Sequence, residues 1–84
     1  MTQATIKLYA SLSQYLPPDA DKNAASVALP EQTTILQSLD ELNVPRERCH
    51  LVLLNGEFVP PSARASHVIK DGDTVAVWPP VAGG

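Results

Sequence analysis

The chain has 84 residues, 44% hydrophobic content, one cysteine and a formal net charge of −3, which bounds it to one small globular domain rather than a disordered or disulfide-stapled chain. Mild acidity counts against nucleic acid, whose binders need a basic face, and no apolar run approaches the roughly 20 residues that span a bilayer. Met1-Thr2-Gln3-Ala4 runs straight into strand pattern with no basic and then apolar leader, so a cytoplasmic protein with neither membrane nor nucleic acid as partner is expected.

Thr5 to Ala10 alternates with period two and predicts a strand, with Ile6 and Leu8 on one face and Thr5, Lys7 and Tyr9 on the other. Ser11 to Leu16 predicts a short helical turn capped by Ser11 or Ser13 and stopped by Pro17-Pro18. Asp19 to Ala25 is polar and small, a loop; Val27 to Leu29 is a second strand, stopped by Pro30. The strongest helix signal is Thr34 to Asn43. Thr34 and Gln37 match a capping box. Ile35, Leu36, Leu39 and Leu42 share one face, while Gln37, Ser38, Asp40 and Glu41 lie towards the other. Leu51 to Leu54 reads as a central strand. Asn55-Gly56 demands a type I′ hairpin turn, and Glu57 to Val59 returns as a short partner. Ser62 to Lys70 is irregular, anchored by Val68 and Ile69; Asp71-Gly72-Asp73 is a turn, and Thr74 to Trp78 is the last strand. One main helix on a mixed sheet of four or five strands is an α+β domain.

A domain over residues 1–78 and a flexible tail over residues 79–84 are expected. Neither Pro79 nor Pro80 donates to a ladder. Val81, Ala82, Gly83 and Gly84 carry small side chains or none. The last six residues, extended, reach roughly 20 Å at ~3.3 Å each. They are thin enough to enter a channel that admits backbone but no large side chain.

Most enzymatic signatures are absent: the sequence has no G-x-G-x-x-G, P-loop, G-x-S-x-G or C-x-x-C. His50 and His67 read as surface residues. Cys49 and His50 are adjacent, so in extended backbone they point to opposite faces and make a poor nucleophile pair. Asp19/Asp21 and Asp71/Asp73 read as turn residues, and no metal set is evident. Tyr9 and Trp78 are two of four aromatic residues, and parity puts both on the non-aliphatic side of the sheet. If the first and last strands are neighbours, the rings form a docking surface beside the tail; the other reading is that each ring covers loop residues around 62–65.

Ile6-Lys7-Leu8-Tyr9-Ala10, Val27-Ala28-Leu29-Pro30 with the Thr34-to-Leu39 helix start, Leu54-Asn55-Gly56-Glu57, and above all Asp71-Gly72-Asp73 with a strand, Pro79-Pro80 and Gly83-Gly84 resemble the sulfur carriers of the MoaD/ThiS family over nearly the whole chain. The resemblance implies a ubiquitin-like β-grasp fold. It also implies that this chain is no enzyme and binds no cofactor. Its Gly84 carboxylate would be adenylated by a ubiquitin-activating-type partner using ATP and then converted to a thiocarboxylate. The Pro-Pro-Val-Ala-Gly-Gly ending is most similar to the molybdopterin branch, where the second partner is the synthase large subunit. Gly83, Ala82 and Val81 would thread into both active sites, and Trp78, Tyr9, Leu51, Pro79 and Pro80 would dock. Other destinations within the same chemistry are thiamine, cysteine or tRNA thiolation. Different classes are a ubiquitin-like modifier joined to lysine through Gly84 and a plain interaction module. The segments 11–16 and 62–66 depart from the family pattern.

Overall fold

The computed structural model describes residues 1–80. Five strands, β1 (Thr2–Leu8), β2 (Ala24–Leu29), β3 (Leu51–Leu54), β4 (Glu57–Phe58) and β5 (Thr74–Trp78), form one mixed sheet in the order β2-β1-β5-β3-β4. β1 and β5 pair in parallel at its centre, and the remaining pairs are antiparallel. One α-helix, α1 (Ile35–Glu41), packs on one face. This is the expected α+β arrangement, and among the described residues no helix is long and apolar enough to cross a membrane.

Alternation sorts the strands into two faces. Ile6 and Leu8 of β1, Val52 of β3, and Val75 and Val77 of β5 are fully buried together with Ile35 and Leu39 of α1. Each such side chain contributes about 1.5–3 kcal/mol by leaving water. The helix has seven residues, too few to persist alone, since isolated helices need ~12–15. It is held by this packing and by the expected capping box: the Gln37 amide donates to Thr34 Oγ1 (3.2 Å) and the Thr34 amide to Gln37 Oε1 (3.0 Å).

Several boundaries differ from the sequence reading. β1 begins at Thr2 rather than Thr5, because Thr2 to Ala4 pair with Val27 to Leu29. It ends at Leu8 because Ala10 turns into the left-handed region (φ 53°). Ala24 and Ala25, read as loop, belong to β2, where they pair with Lys7 and Ile6. The segment after β1 is a 3₁₀-helix, Ala10–Tyr15, whose N-cap is Tyr9 with no side-chain hydrogen bond, not a serine. Ser38, assigned to the wet face of the helix, is buried, with its hydroxyl donating to the Ile35 carbonyl at 2.7 Å. A small residue that satisfies itself locally can sit against the sheet where a longer polar one cannot. Leu36, assigned to the packed face, is only half-buried.

The turn chemistry is more connected than turn propensity alone requires. Asn55 and Gly56 both have positive φ (51° and 86°), as a type I′ turn demands. Asp71 accepts from the Gln3 amide (2.8 Å), and Gly72 (φ 89°) donates its own amide to the Gln3 carbonyl (2.7 Å). The Asp73 carboxylate accepts from the Lys70 amide (2.8 Å) and from Asn55 Nδ2 (2.9 Å), while Asn55 Oδ1 accepts from the Thr74 amide (2.9 Å). The 71–73 turn thereby ties the start of β5 to β1 on one side and to the hairpin on the other.

Partial burial pushes the Asp73 carboxyl up, but the Lys70 amide, Asn55 and the charges of His67 and Lys70 outweigh it and hold it below the ordinary value. A depressed folded-state pKa stabilises the fold fully above the unfolded value of about 3.9, and that contribution is lost as pH falls through the folded value. Asp73→Ala is expected to cost about 1–3 kcal/mol in urea unfolding near neutral pH. The gap between wild type and variant is expected to close below about pH 3.9. A gap that is absent, or constant with pH, would show that this carboxylate does not anchor the turn.

Candidate functional site

The helix-free face of the sheet carries the candidate site. Although β1 ends at Leu8, Tyr9 keeps its place on the ladder because its amide donates to the Val77 carbonyl (3.1 Å). The parallel register sets Leu8 beside Val77, so Tyr9 lies next to Trp78. The two rings stack, with centroids 4.5 Å apart and planes within 5°; such a pair adds about 0.5–1.5 kcal/mol beyond its buried area. On the other side of β5, Leu51 is the register partner of Trp78. Tyr9, Trp78 and Leu51, expected separately, are thus brought into one half-exposed row. The prolines divide: Pro79 is buried and Pro80 exposed, so Pro80 is the one with surface to offer a partner. Val81, Ala82, Gly83 and Gly84 lie outside the described residues.

Two residues extend the row beyond the sequence reading. Leu53 pairs with Ala76 on one side and Phe58 on the other, and Phe58 is 58% exposed. The signal was present: a type I′ turn at Asn55-Gly56 fixes Leu53 opposite Phe58, and parity with Leu51 places both on the open face.

A third residue gave no usable signal. Arg64 sits in the polar stretch 62–66, yet it is 5% exposed. Its guanidinium donates to the carbonyls of Cys49 (2.7 Å), His50 (3.2 Å) and, weakly, Val59 (3.4 Å). The His50 amide in turn donates to the Trp78 carbonyl (3.0 Å). Arg64 therefore pins the entry to β3, and that entry holds the last residue of β5.

Cys49 is buried beneath this clamp while His50 is exposed, so the adjacent pair does face apart. Burial pushes the Cys49 thiol up, against a smaller downward pull from Arg64, and only a thiolate is a competent nucleophile. His67 is exposed. Among the described residues no group of three or more His, Cys, Asp or Glu side chains is placed to hold a metal ion.

The comparisons follow the geometry. The sequence model of the ThiS family matches residues 6–84. A comparison with curated proteins returns no match. Among solved structures, the chain is similar to SAMP1, small archaeal modifier protein 1, from Haloferax volcanii (25% identity, 98% of this chain and 99% of that one, TM-score 0.68). It is similar to the thiamine biosynthesis protein ThiS from Geobacter metallireducens (22% identity, 95% and 99%, TM-score 0.61). The complex of subunits 1 and 2 of molybdopterin-converting factor from Helicobacter pylori also contains a similar chain (18% identity, 99% and 100%, TM-score 0.57). The fold is the ubiquitin-like β-grasp.

Arg64→Leu is expected to lower stability by about 2–3 kcal/mol, since it leaves two buried carbonyls without donors. The variant is also expected to shift Trp78 fluorescence, because the strand end that carries the ring loses its brace. A fully stable variant with unchanged emission would remove Arg64 from the site's support.

Proposed function

We propose that this chain, which belongs to the ThiS family, is a sulfur carrier that presents Gly84 to partner enzymes, with molybdopterin assembly as the destination. The observation that carries the reading is the family match itself, which runs from the first core strand through the diglycine. The stacked Tyr9–Trp78 pair and Leu51 support it, because they put an aromatic docking row at the root of the segment that leads to Gly84.

The chemistry follows from the carboxylate. An ionised carboxylate, with pKa near ~3.5 for a chain end, is a poor electrophile. The Gly84 carboxylate attacks the α-phosphorus of ATP in the activating partner, forming an acyl-adenylate and releasing pyrophosphate. Hydrosulfide-level sulfur then attacks the acyl carbon, AMP leaves, and loss of the proton on sulfur gives the thiocarboxylate. Val81, Ala82, Gly83 and Gly84 supply a strand of chain narrow enough for both active sites. The domain supplies the grip: Trp78, Tyr9 and Leu51, with Leu53, Phe58 and Pro80 extending the surface, on a face whose rings stand ready stacked. The partners are an adenylating enzyme of the ubiquitin-activating type and a molybdopterin synthase large subunit.

The likeness to the archaeal modifier protein favours a second reading, in which the activated Gly84 is passed to lysine on target proteins. Intact-mass analysis of the protein isolated from its host separates the two. A fraction heavier by the replacement of one oxygen with sulfur is expected for a carrier, whereas lysine conjugates without that species would install the modifier.

Deletion of Gly84 is expected to abolish ATP–pyrophosphate exchange with the cognate adenylating enzyme while leaving thermal unfolding unchanged. Trp78→Ala is expected to weaken partner binding by about 1–3 kcal/mol. Retained exchange, or unaltered affinity, would overturn the corresponding role.

A further inference from the structure

We propose that the open edge of β2 and the groove beside it form a second docking surface, for an extended peptide of a partner protein that is aliphatic at alternate positions and basic at its N-terminal end. The site is separate from the aromatic row and does not depend on the chemistry of Gly84.

β2 is an outermost strand of the sheet. The Leu8 amide donates to the Asn23 carbonyl (2.9 Å), which fixes the phase of the antiparallel ladder. Ala25, Val27 and Leu29 bond towards β1, while Ala24, Ser26 and Ala28 turn their amides and carbonyls away from it. Ala24 is satisfied by Asp21, which exchanges both backbone bonds with it (2.8 and 3.0 Å). Ser26 and Ala28 are exposed and carry the ladder groups that an added strand would pair. Such edges are ordinarily blunted by charges, proline, a bulge or very short length. β4, the opposite edge, has two residues. β2 has six, Ala24 to Leu29, with no charge and no proline among them.

The groove gives that edge selectivity. About 330 Å³ in volume, it lies between β2 and α1 and is lined by Val27, Leu29 and Leu42, with Ser38 and Glu41 also at its wall. Val27 and Leu42 are only half-buried, so apolar surface is available to alternate side chains of an added strand. An adjoining cleft shares Pro30 and Glu41 and adds Glu31 and Asp40, with no Lys or Arg in its lining. Asp40 is bridged to Arg46 (2.7 Å) and Glu31 to the Met1 ammonium (3.3 Å). Glu41 has no ion pair among the described residues. The acidic end lies past Leu29, at the C-terminal end of β2. Antiparallel pairing is the more stable per residue, and it sets the N-terminus of the guest there. Basic residues at that end therefore match the cleft.

The test is titration of the whole protein with an acetylated, amidated peptide, Lys-Arg-Val-Thr-Ile-Thr-Val, followed by amide NMR, alongside the same peptide with Glu-Asp at its start. Binding of the basic peptide is expected to shift the Ser26 and Ala28 amides and to slow their hydrogen exchange, leaving the amides around Tyr9 and Trp78 in place. Ala28→Pro removes one outward amide at an edge, where proline is tolerated, and is expected to weaken binding about fivefold. Glu41→Lys leaves the strand untouched and is expected to weaken it by about fivefold as well. Equal binding of the acidic peptide, shifts confined to the Trp78 face, no shifts at millimolar peptide, or concentration-dependent shifts of the β2 amides without peptide (pairing of two copies) would each overturn the proposal.

Discussion

The parallel pairing of β1 with β5 is the constraint on which the rest of this structure depends. Parallel neighbours need a long crossover, and here everything between Tyr9 and Asp73 serves as one. β2 and α1 complete the sheet and cover one of its faces; β3 and β4 complete the other side of β5. The pairing also decides which side chains meet. Its register sets Ile6 beside Val75 and Leu8 beside Val77 on the helix side. The same phase, carried one residue further, forces Tyr9 and Trp78 together on the open side. The core and the candidate docking row are thus two faces of one decision about register, and a slip of one residue would exchange them.

The root of the tail is held from both sides for the same reason. β5 is interior, so Trp78 is braced by β1 through Tyr9 and by β3 through the His50 amide and the register partner Leu51. Arg64 adds a third element by fixing the carbonyls of Cys49 and His50 from a loop that does not belong to the sheet. A guanidinium suits this place because its fork of donors reaches several carbonyls from one buried position. Rigid support there would serve the proposed presentation of Gly84, since a segment that starts from a fixed point and direction loses less freedom on binding.

Much of this was legible in the sequence, and the failures have physical causes. Alternation in Ile6-to-Tyr9 and Thr74-to-Trp78, the Asn55-Gly56 turn and the Thr34–Gln37 box each depend on short-range geometry that a few residues impose, and all are found. The start of β1 and the first three residues of β2 were missed because neither Thr2-Gln3-Ala4 nor Ala24-Ala25-Ser26 shows an alternating apolar pattern of its own. They are extended because each pairs with the other strand. Ser38 misled because a polar side chain on a helix reads as solvent-facing until its hydroxyl is seen bonded to the preceding turn. Arg64 was illegible because arginine is ordinarily exposed, and its acceptors come from two separate segments, Cys49-His50 and Val59. Phe58 was readable, since the hairpin register already placed it opposite Leu53.

What the polar groups are used for bears on where the chemistry lies. Catalysis needs acids, bases or nucleophiles free to change partner during a reaction. Among the described residues several such groups already have structural partners. Asp71, Asp73 and Asn55 hold backbone amides at the turn, and Arg64 is spent on carbonyls. The Cys49 thiol is buried, and burial pushes its pKa up. His50 and His67 stand exposed on the surface. The partnered side chains make the shape that holds the last residue of β5 between β1 and the entry to β3. Such a fixed strand end is what the aromatic row, and the proposal built on it, would require of the fold.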